Sequence, residues 1–413
     1  MMYIMALNCG SSSLKYQIYD VETKKIVIGG TAEKIGLPDS FITQKYPDGK
    51  KERKDCEMKD HGEALNVAMF MMRAASIDTN HIGAVGHRVL HGGEKYTCSI
   101  EIADDVIKTI DELSVLGPLH NPANLMGIVA AKQMLPNAKQ VATFDTAFHQ
   151  TMPDYVYRYA TPSAWYTELG VRKYGFHGSS HLYVSKRAAR LLGKPAGECN
   201  LVSLHIGSGA SACAIKGGLS VDTSMGMTPL AGMNMGTRTG DIDPGAVLYV
   251  MDRLGFSTKE MSTWMNKSSG HLGITECFED RRDLQENKDR NDFCRLALAM
   301  EANNAKKYIG GYMAELGHTD AIVFTAGVGE RDNLMRAKIC EGLEGLGIKL
   351  DTQANDKALP QLGAGESLIS AADSKVKVFM IPTNEELVII EDTVAIMNGT
   401  YKQNHLEMEY SFA

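Results

Sequence analysis

Apolar and polar residues change period repeatedly along the 413 residues, and the changes mark an α/β chain. Short apolar or alternating runs bounded by turn residues predict strands at Met2–Asn8, Leu14–Tyr19, Lys25–Thr31, Ile82–Val89, Gln140–Thr143, Leu201–His205, Ala210–Ile215, Ala321–Thr325 and Val376–Ile381. Between them, Gly62–Ala75 and Phe293–Leu316 carry apolar residues at helical spacing and predict core-packing helices. The Gly/Pro-rich stretches 117–122 and 228–240 follow neither period and predict ordered loops. A long loop rich in Gly, Thr, Arg and Asp is more often functional than a mere connector.

Two passages about two hundred residues apart share one pattern, an apolar strand, a Gly/Ser turn and an alternating strand. They are Met2–Asp20 (MYIMALNCGSSSLKYQIYD) and Asn200–Ser220 (NLVSLHIGSGASACAIKGGLS). Glycine and serine at a strand turn aim successive backbone N–H groups into one concavity, and hydroxyls such as those of Ser11 and Ser13 add donors for a phosphate, with Lys15 within reach. A single Gly/Ser turn mostly just joins strands; the duplication gives the pair its weight. With no GxxxxGK[ST] in the chain, a P-loop fold is excluded. The pattern predicts two related domains, each with a phosphate loop, and a nucleotide between them. Val323–Arg331 (VFTAGVGER) predicts a strand ending in GxG whose bare backbone could lie against an adenosine.

Length agrees with two domains, since a single core rarely serves so long a chain. The net charge of -7 argues against a nucleic-acid surface, and no apolar run approaches a membrane span. The start MMYIMALNCG lacks a basic leader, so the expected location is cytoplasmic. Eight cysteines without a C-x-x-C pair predict buried, reduced thiols, and Cys9 in the first turn reads as a small core residue. His177 and His181 stand at helical spacing, but without a third ligand nearby they do not predict a transition-metal site.

Arg, His and Asp concentrate beside glycine in GHRVLHGG (86–93), GPLHNP (117–122), FDTAFHQ (144–150), RKYGFHGSSH (172–181) and MGTRTGDIDPG (235–245). Arginines in such loops are usually solvated. Arg88, however, ends an apolar strand and Arg238 lies in the long Gly/Thr loop, and a transferring phosphoryl group needs planar cationic donors around its equatorial oxygens. Asp145 reads equally as an active-site carboxylate or a helix N-cap. His120 and His177 sit in Gly/Pro loops with little core to fill. Asn384, Glu385 and Glu386 follow a strand, where a carboxylate could hold Mg²⁺ or favour a helix N-terminus.

Through NCGSSSLKYQ, GHRVLHGGEKY, PLHNPANLMGI, FDTAFHQTMP, RKYGFHGSSH, VDTSMGMTPLAGMNMGTRTGDIDP, FTAGVGE and IPTNEEL the chain resembles the acetokinase family of the actin-like ATPase superfamily over nearly its whole length. The resemblance implies two duplicated ribonuclease H-like domains flanking a nucleotide cleft. It places an acyl-substrate and phosphate domain at residues 1–146 plus 384–413, and a nucleotide-binding and dimerisation domain at 147–383, in a homodimer. It implies reversible transfer of a phosphoryl group from ATP to acetate by in-line displacement, with Mg²⁺ (or Mn²⁺) as the metal. Asn8 and Glu385 match the magnesium positions, and Lys15, with the Ser11–Ser13 turn, a phosphate contact. Arg88 matches the arginine that meets the acyl group, Asp145 the catalytic acidic residue, His177 and Arg238 the transition-state stabilisers, and His120 a further active-site histidine. The acyl methyl is expected among Leu90, Leu119, Phe176 and Pro229. His205, Ile206, Gly207, Ser208 and Gly209 match the nucleotide phosphate loop, and Asp280, Arg281 and Arg282 with Gly327, Val328, Gly329, Glu330 and Arg331 match the adenosine wall.

Three segments depart from the family pattern: Ser208 replaces an asparagine, Glu279 and Arg281 stand where serine and an apolar residue are typical, and Arg331 replaces an asparagine. The last two leave the nucleobase, or even a pyrophosphate donor, open. A propionate or other short-chain acyl kinase is the alternative enzyme. A non-catalytic nucleotide switch of the same fold would have no use for Arg88, His177 and Arg238 together.

Overall fold

Strands form where the sequence alternates, as the computed structural model of the protein shows over residues 2–118 and 120–413. The chain folds as two compact units, Met1–Phe148 with Asn384–Ser411, and His149–Thr383 with Phe412–Ala413.

In the first unit, β1 (Tyr3–Gly10) turns through Ser11 and Ser12 into antiparallel β2 (Ser13–Asp20). β3 (Lys25–Glu33), β4 (Phe41–Lys45) and β5 (Lys51–Asp55) continue the meander, while β6 (Ile82–Val89) lies parallel to β1 and β8 (Lys139–Phe144) parallel to β6, with the short β7 (Ile100–Glu101) at the edge. Met5, Leu7 and Cys9 pack with Leu65 and Ala131 of the helices His61–Ala74 and Asn121–Met134. Ile4 and Ala6 pack with Ile389 and Ile390 of the C-terminal helix Glu385–Asn398. Both faces are covered, which is why β1 reads as one continuous apolar run. Gly86 lets that last helix close on β6, because a Cβ there would stand 2.6 Å from Ile389 Cγ2 and 2.4 Å from Thr393 Oγ1. The close approach holds Glu385 within reach of Arg88 on the same strand as Gly86.

In the second unit, β9 (Leu201–Ile206), β10 (Ala210–Lys216) and β11 (Leu219–Thr223) are antiparallel neighbours, β12 (Ala321–Thr325) lies parallel to β9, and β14 (Lys377–Met380) parallel to β12, with β13 (Ser367–Leu368) at the edge. The orders β3-β2-β1-β6-β8 and β11-β10-β9-β12-β14 repeat one plan in two mixed sheets. The helices Gly178–Leu192 and Asp292–Leu316 pack on the second sheet.

Sequence patterning misses β4 and β5. KERKD alternates in nothing but charge and is exposed throughout, an edge strand whose charges discourage further pairing. Residues 117–122 are not wholly loop, since a helix begins at Asn121 with Pro122 in its first turn. Gly327 and Gly329 do not extend a bare backbone after β12; they lie inside the short helix Ala326–Arg331. All eight cysteines are free, but Cys277 is exposed and only five are buried. Burial pushes the Cys9 thiol up to about 12, and its sulfur packs on Gly127, as a core residue should. Among the described residues no helix is long and apolar enough to cross a membrane.

Asp392 lies deep in the first unit, accepting from Ser99 Oγ at 2.6 Å and Tyr410 Oη at 2.8 Å. Burial raises its carboxyl from the ordinary 3.8 to about 6. A raised acid favours the folded state most when protonated, so this contribution is full below pH 4 and is lost as pH rises through 6. Asp392→Asn should remove that slope. The stability of the variant relative to the parent, from urea unfolding, should rise by about 1–2 kcal/mol between about pH 5 and pH 8. A constant difference across that range would mean that Asp392 does not titrate there.

Candidate active site

The register of the first hairpin sets Asn8 directly opposite Lys15, so both side chains stand on one face of the sheet. They line a small pocket with Ala6, Leu7, Arg88, Glu385, Glu386 and Ile389. Behind Arg88 lies Asp145, 1% exposed, accepting a two-pronged pair from Nε at 2.8 Å and Nη2 at 2.7 Å. Arg88 Nη1 stands 3.2 Å from Glu385 Oε2. Burial alone would lower the Arg88 guanidinium, but the carboxylates of Asp145 and Glu385 outweigh it and hold the cation firmly charged. Burial pushes Glu385 up, with Arg88 pulling it back. The choice left open for Asp145 is thereby narrowed: its carboxylate orients Arg88. Asn384 caps the C-terminal helix by accepting from Leu387 N at 3.1 Å, which sets Glu385 and Glu386 in the first turn.

The turn between β1 and β2 is anchored from below. His61 Nε2 bonds the Gly10 carbonyl at 2.6 Å and Asn124 Nδ2 donates to the Cys9 carbonyl at 2.7 Å. The other end of the Asn124 amide accepts from Leu90 N at 3.0 Å, so one side chain ties the phosphate turn to the expected acyl wall. Leu90 is buried, and Leu119 lies outside the described residues. His120 sits at the N-cap of the helix Asn121–Met134, its carbonyl accepting from Asn124 N at 3.0 Å. Sequence reasoning named neither Asn124 nor His61; the NPAN that follows His120 was the available signal for the first.

The second unit gathers the other candidates. His177 occupies the left-handed region at φ 58, unusual for a non-glycine residue, and immediately precedes the helix Gly178–Leu192. Its ring stacks on His205 with centroids 4.0 Å apart. His205 Nδ1 is 2.8 Å from Ser180 Oγ, which is 2.8 Å from Thr383 Oγ1. The turn Gly207–Ser208–Gly209 passes these rings. A Cβ on Gly209 would lie 3.3 Å from His177 Nε2 and 3.7 Å from Arg238 Nη1, and one on Gly207 3.8 Å from His205 Nε2. Arg238 donates to the Pro229 carbonyl at 3.1 Å, and burial lowers its guanidinium. The side chain of Ile206 is buried in the core, which leaves only its backbone for a ligand. Phe176 is likewise buried, its carbonyl bonded by His149 Nε2 at 2.9 Å.

Of the expected adenosine wall, Asp280 caps the helix Arg281–Asn287 and pairs with exposed Arg282, Nη2 to Oδ2 at 2.6 Å. Arg281 turns inward instead, paired with buried Glu301 and 3.7 Å from Asp332. That pairing answers the departure seen in sequence: the guanidinium stands among acids within the unit and its side chain is not presented as a wall. Glu330 Oε1 accepts from Thr383 N at 3.1 Å, joining the helix Ala326–Arg331 to the segment beside Ser180. Gly329 packs on the end of β12, Gly327 and Arg331 are exposed, and Val328 is half-buried.

Among the described residues no three of His, Cys, Asp and Glu gather into a metal cage. The cavity nevertheless offers oxygen donors from Asn8, Glu385 and Glu386. That set suits a hard cation that keeps most of its water and takes its remaining ligands from phosphate.

A sequence profile described as the acetokinase family matches residues 3–391. The chain belongs to the acetokinase family. It is 53% identical over 417 residues to an acetate kinase of Geobacter sulfurreducens, covering 100% of this chain and 98% of that one. Its fold is similar to the crystal structure of Porphyromonas gingivalis acetate kinase at a TM-score of 0.89, with 42% identity, covering 96% of this chain and 100% of the other. A propionate kinase from Francisella tularensis is similar at a TM-score of 0.88 and 37% identity, covering 94% and 98%. As in these relatives, two mixed β-sheet domains are consistent with the duplicated actin-like ATPase fold.

Proposed function

We propose that this member of the acetokinase family transfers a phosphoryl group between ATP and acetate, giving acetyl phosphate and ADP, in an Mg²⁺-dependent reaction. Arg88, locked by Asp145 beside Glu385, Asn8 and Lys15, is the observation that carries the reading. A guanidinium so held is prepared for a second anion at its remaining N–H groups. In this reading the units are duplicated ribonuclease H-like domains flanking a nucleotide cleft. The first (1–146 with 384–413) carries the acyl and phosphate contacts and the second (147–383) the nucleotide.

Acetate, with a pKa of about 4–5, is an anion at neutral pH and needs no general base. One of its oxygens attacks the γ-phosphorus while the bond from that phosphorus to the β–γ bridging oxygen breaks, and the bridging oxygen leaves as part of ADP. The work left to the protein is alignment and charge neutralisation. Arg88 holds the acyl carboxylate, Asp145 holds Arg88, and Lys15 with the Ser11–Ser13 turn meets phosphate. Arg238 and His177, beside the Gly207–Gly209 turn, donate to the equatorial oxygens of the transferring group, with His205 and His120 as further polar contacts. Asn8 and Glu385 are the residues that would hold Mg²⁺, which when bound neutralises phosphate charge. Asp280, Arg282 and the helix Ala326–Arg331 receive the nucleoside. Leu90, Phe176 and Pro229 line the acyl end.

Homodimerisation through the second unit is part of the proposal. Leu248, Tyr249 and Leu254 on the helix Pro244–Leu254, and Trp264 nearby, expose apolar surface of the kind a partner subunit covers. Hydroxylamine trapping tests the reaction: ATP, Mg²⁺ and acetate should yield acetyl hydroxamate, and chelation by EDTA should abolish it. GTP and pyrophosphate belong in the same panel. The propionate-kinase relative makes propionate the second acceptor to try. Absence of hydroxamate with every acid and donor would refute the proposal.

A further inference from the structure

His177 has a partner chain that the family motifs do not reveal. Its Nδ1 lies 2.8 Å from Ser211 Oγ; Ser211 Oγ lies 2.9 Å from His181 Nε2; and His181 Nδ1 lies 2.6 Å from Ser203 Oγ. Ser203, His181 and Ser211 are all fully buried. The opposite edge of His177 carries Nε2 and faces Gly209 of the phosphate turn.

We propose that Ser203, His181 and Ser211 are positioning residues that fix neutral His177 as the tautomer with its proton on Nε2, so that the ring donates toward the phosphate turn without needing a positive charge. This rests on the phosphoryl-transfer reading above. The direction of the chain follows from counting donors. Among the described residues the Ser203 hydroxyl, with one proton, has one partner, His181 Nδ1, so its O–H is satisfied there by donating. Burial holds His181 well below its ordinary pKa and therefore neutral, so its single ring proton sits on Nε2 and goes to Ser211 Oγ. Ser211, already accepting, has its own O–H left for His177 Nδ1. A neutral imidazole that accepts at Nδ1 carries its proton at Nε2. The other ionisable groups around the chain are His205 stacked on His177, His149 at 5.6 Å from His181, and Arg238 across Gly209. None of them offers a competing bond to Ser211.

The test is Ser211→Ala, with Ser211→Thr to restore the hydroxyl and Ser203→Ala to loosen the far end. At about pH 8, kcat for acetyl phosphate formation should fall roughly 10- to 100-fold in Ser211→Ala, while KM for ATP moves less than about threefold. At about pH 6 the deficit should shrink, because a doubly protonated ring carries Nε2–H whatever lies at Nδ1. Ser203→Ala should show a smaller deficit of the same pH dependence, and Ser211→Thr should recover most of the loss. A deficit equal at both pH values would mean that Ser211 only packs, and would overturn the assignment. A readout independent of activity is ¹⁵N NMR of His177 at the higher pH: the parent should show protonated Nε2 and bare Nδ1, and Ser211→Ala a mixture. A parent signal with Nδ1 protonated would also overturn it. If the parent makes no acetyl phosphate, the functional reading fails, and the ¹⁵N spectrum still decides the chain.

Discussion

Arg88→Lys should lower kcat by roughly a hundredfold or more at saturating acetate and ATP while leaving the thermal melt nearly unchanged. Lysine keeps the positive charge, and it keeps Asp145 from being buried without a counter-ion. It loses the planar fork whose Nε and Nη2 grip both oxygens of Asp145, and with it the fixed aim of the remaining N–H groups. Donors that act on charge developing in the transition state are worth about 2.7–4 kcal/mol each, which is about 10²–10³ in rate. Arg88→Ala is the less clean variant. Asp145 is 1% exposed, and removing its partner strands a buried carboxylate at about 3–5 kcal/mol. That variant should lose stability along with activity. The pair Arg88→Ala/Asp145→Asn should recover the stability and not the turnover. Near-full kcat in Arg88→Lys would reduce Arg88 to a structural ion.

The chemistry of the site was more legible than its architecture. Strand register follows from a turn and an alternation, so the pairing of Asn8 with Lys15 was implicit in NCGSSSLK once the turn was placed at Ser11–Ser12. The Arg88–Asp145 clamp was not, because nothing local relates the ends of two parallel strands 57 residues apart. Sequence could say only that both residues end apolar runs. The histidine chain lay half in view: His177 and His181 stand one helical turn apart, but Ser203 belongs to β9 and Ser211 to β10, and only the fold brings both serines to His181. Arg281 shows the converse: in sequence it is one more charged residue among candidate ligands, and its pairing with buried Glu301, twenty residues on, depends on a long helix returning past it. Where the physics is local, one strand or one cap, the sequence sufficed. Where a side chain is claimed by a distant acid, only the fold could say so.

Leu90 is the position where acyl specificity should be won or lost. It follows Arg88 by two residues at the end of β6, its amide held by Asn124 and its Cδ2 3.3 Å from where a Cβ on Gly117 would sit. The Gly117 backbone lies against the Leu90 side chain, which limits how far it can yield to a longer acid. Leucine carries one methylene more than valine would at this wall. One methylene in an apolar pocket discriminates by about 1–3 kcal/mol, or roughly 10- to 200-fold. The parent should therefore prefer acetate to propionate within that range in kcat/KM, and butyrate should fare worse. Leu90→Ala should bring propionate to within a fewfold of acetate, at some cost to acetate itself, because the small acid then lies against an empty wall. Stability should drop by about 2–5 kcal/mol, as for a buried leucine truncated to alanine, so each kcat/KM is to be measured well below the variant's melting temperature. A parent that uses propionate as well as acetate would show that Leu90 does not set the depth of the pocket. So would a variant whose preference is unchanged.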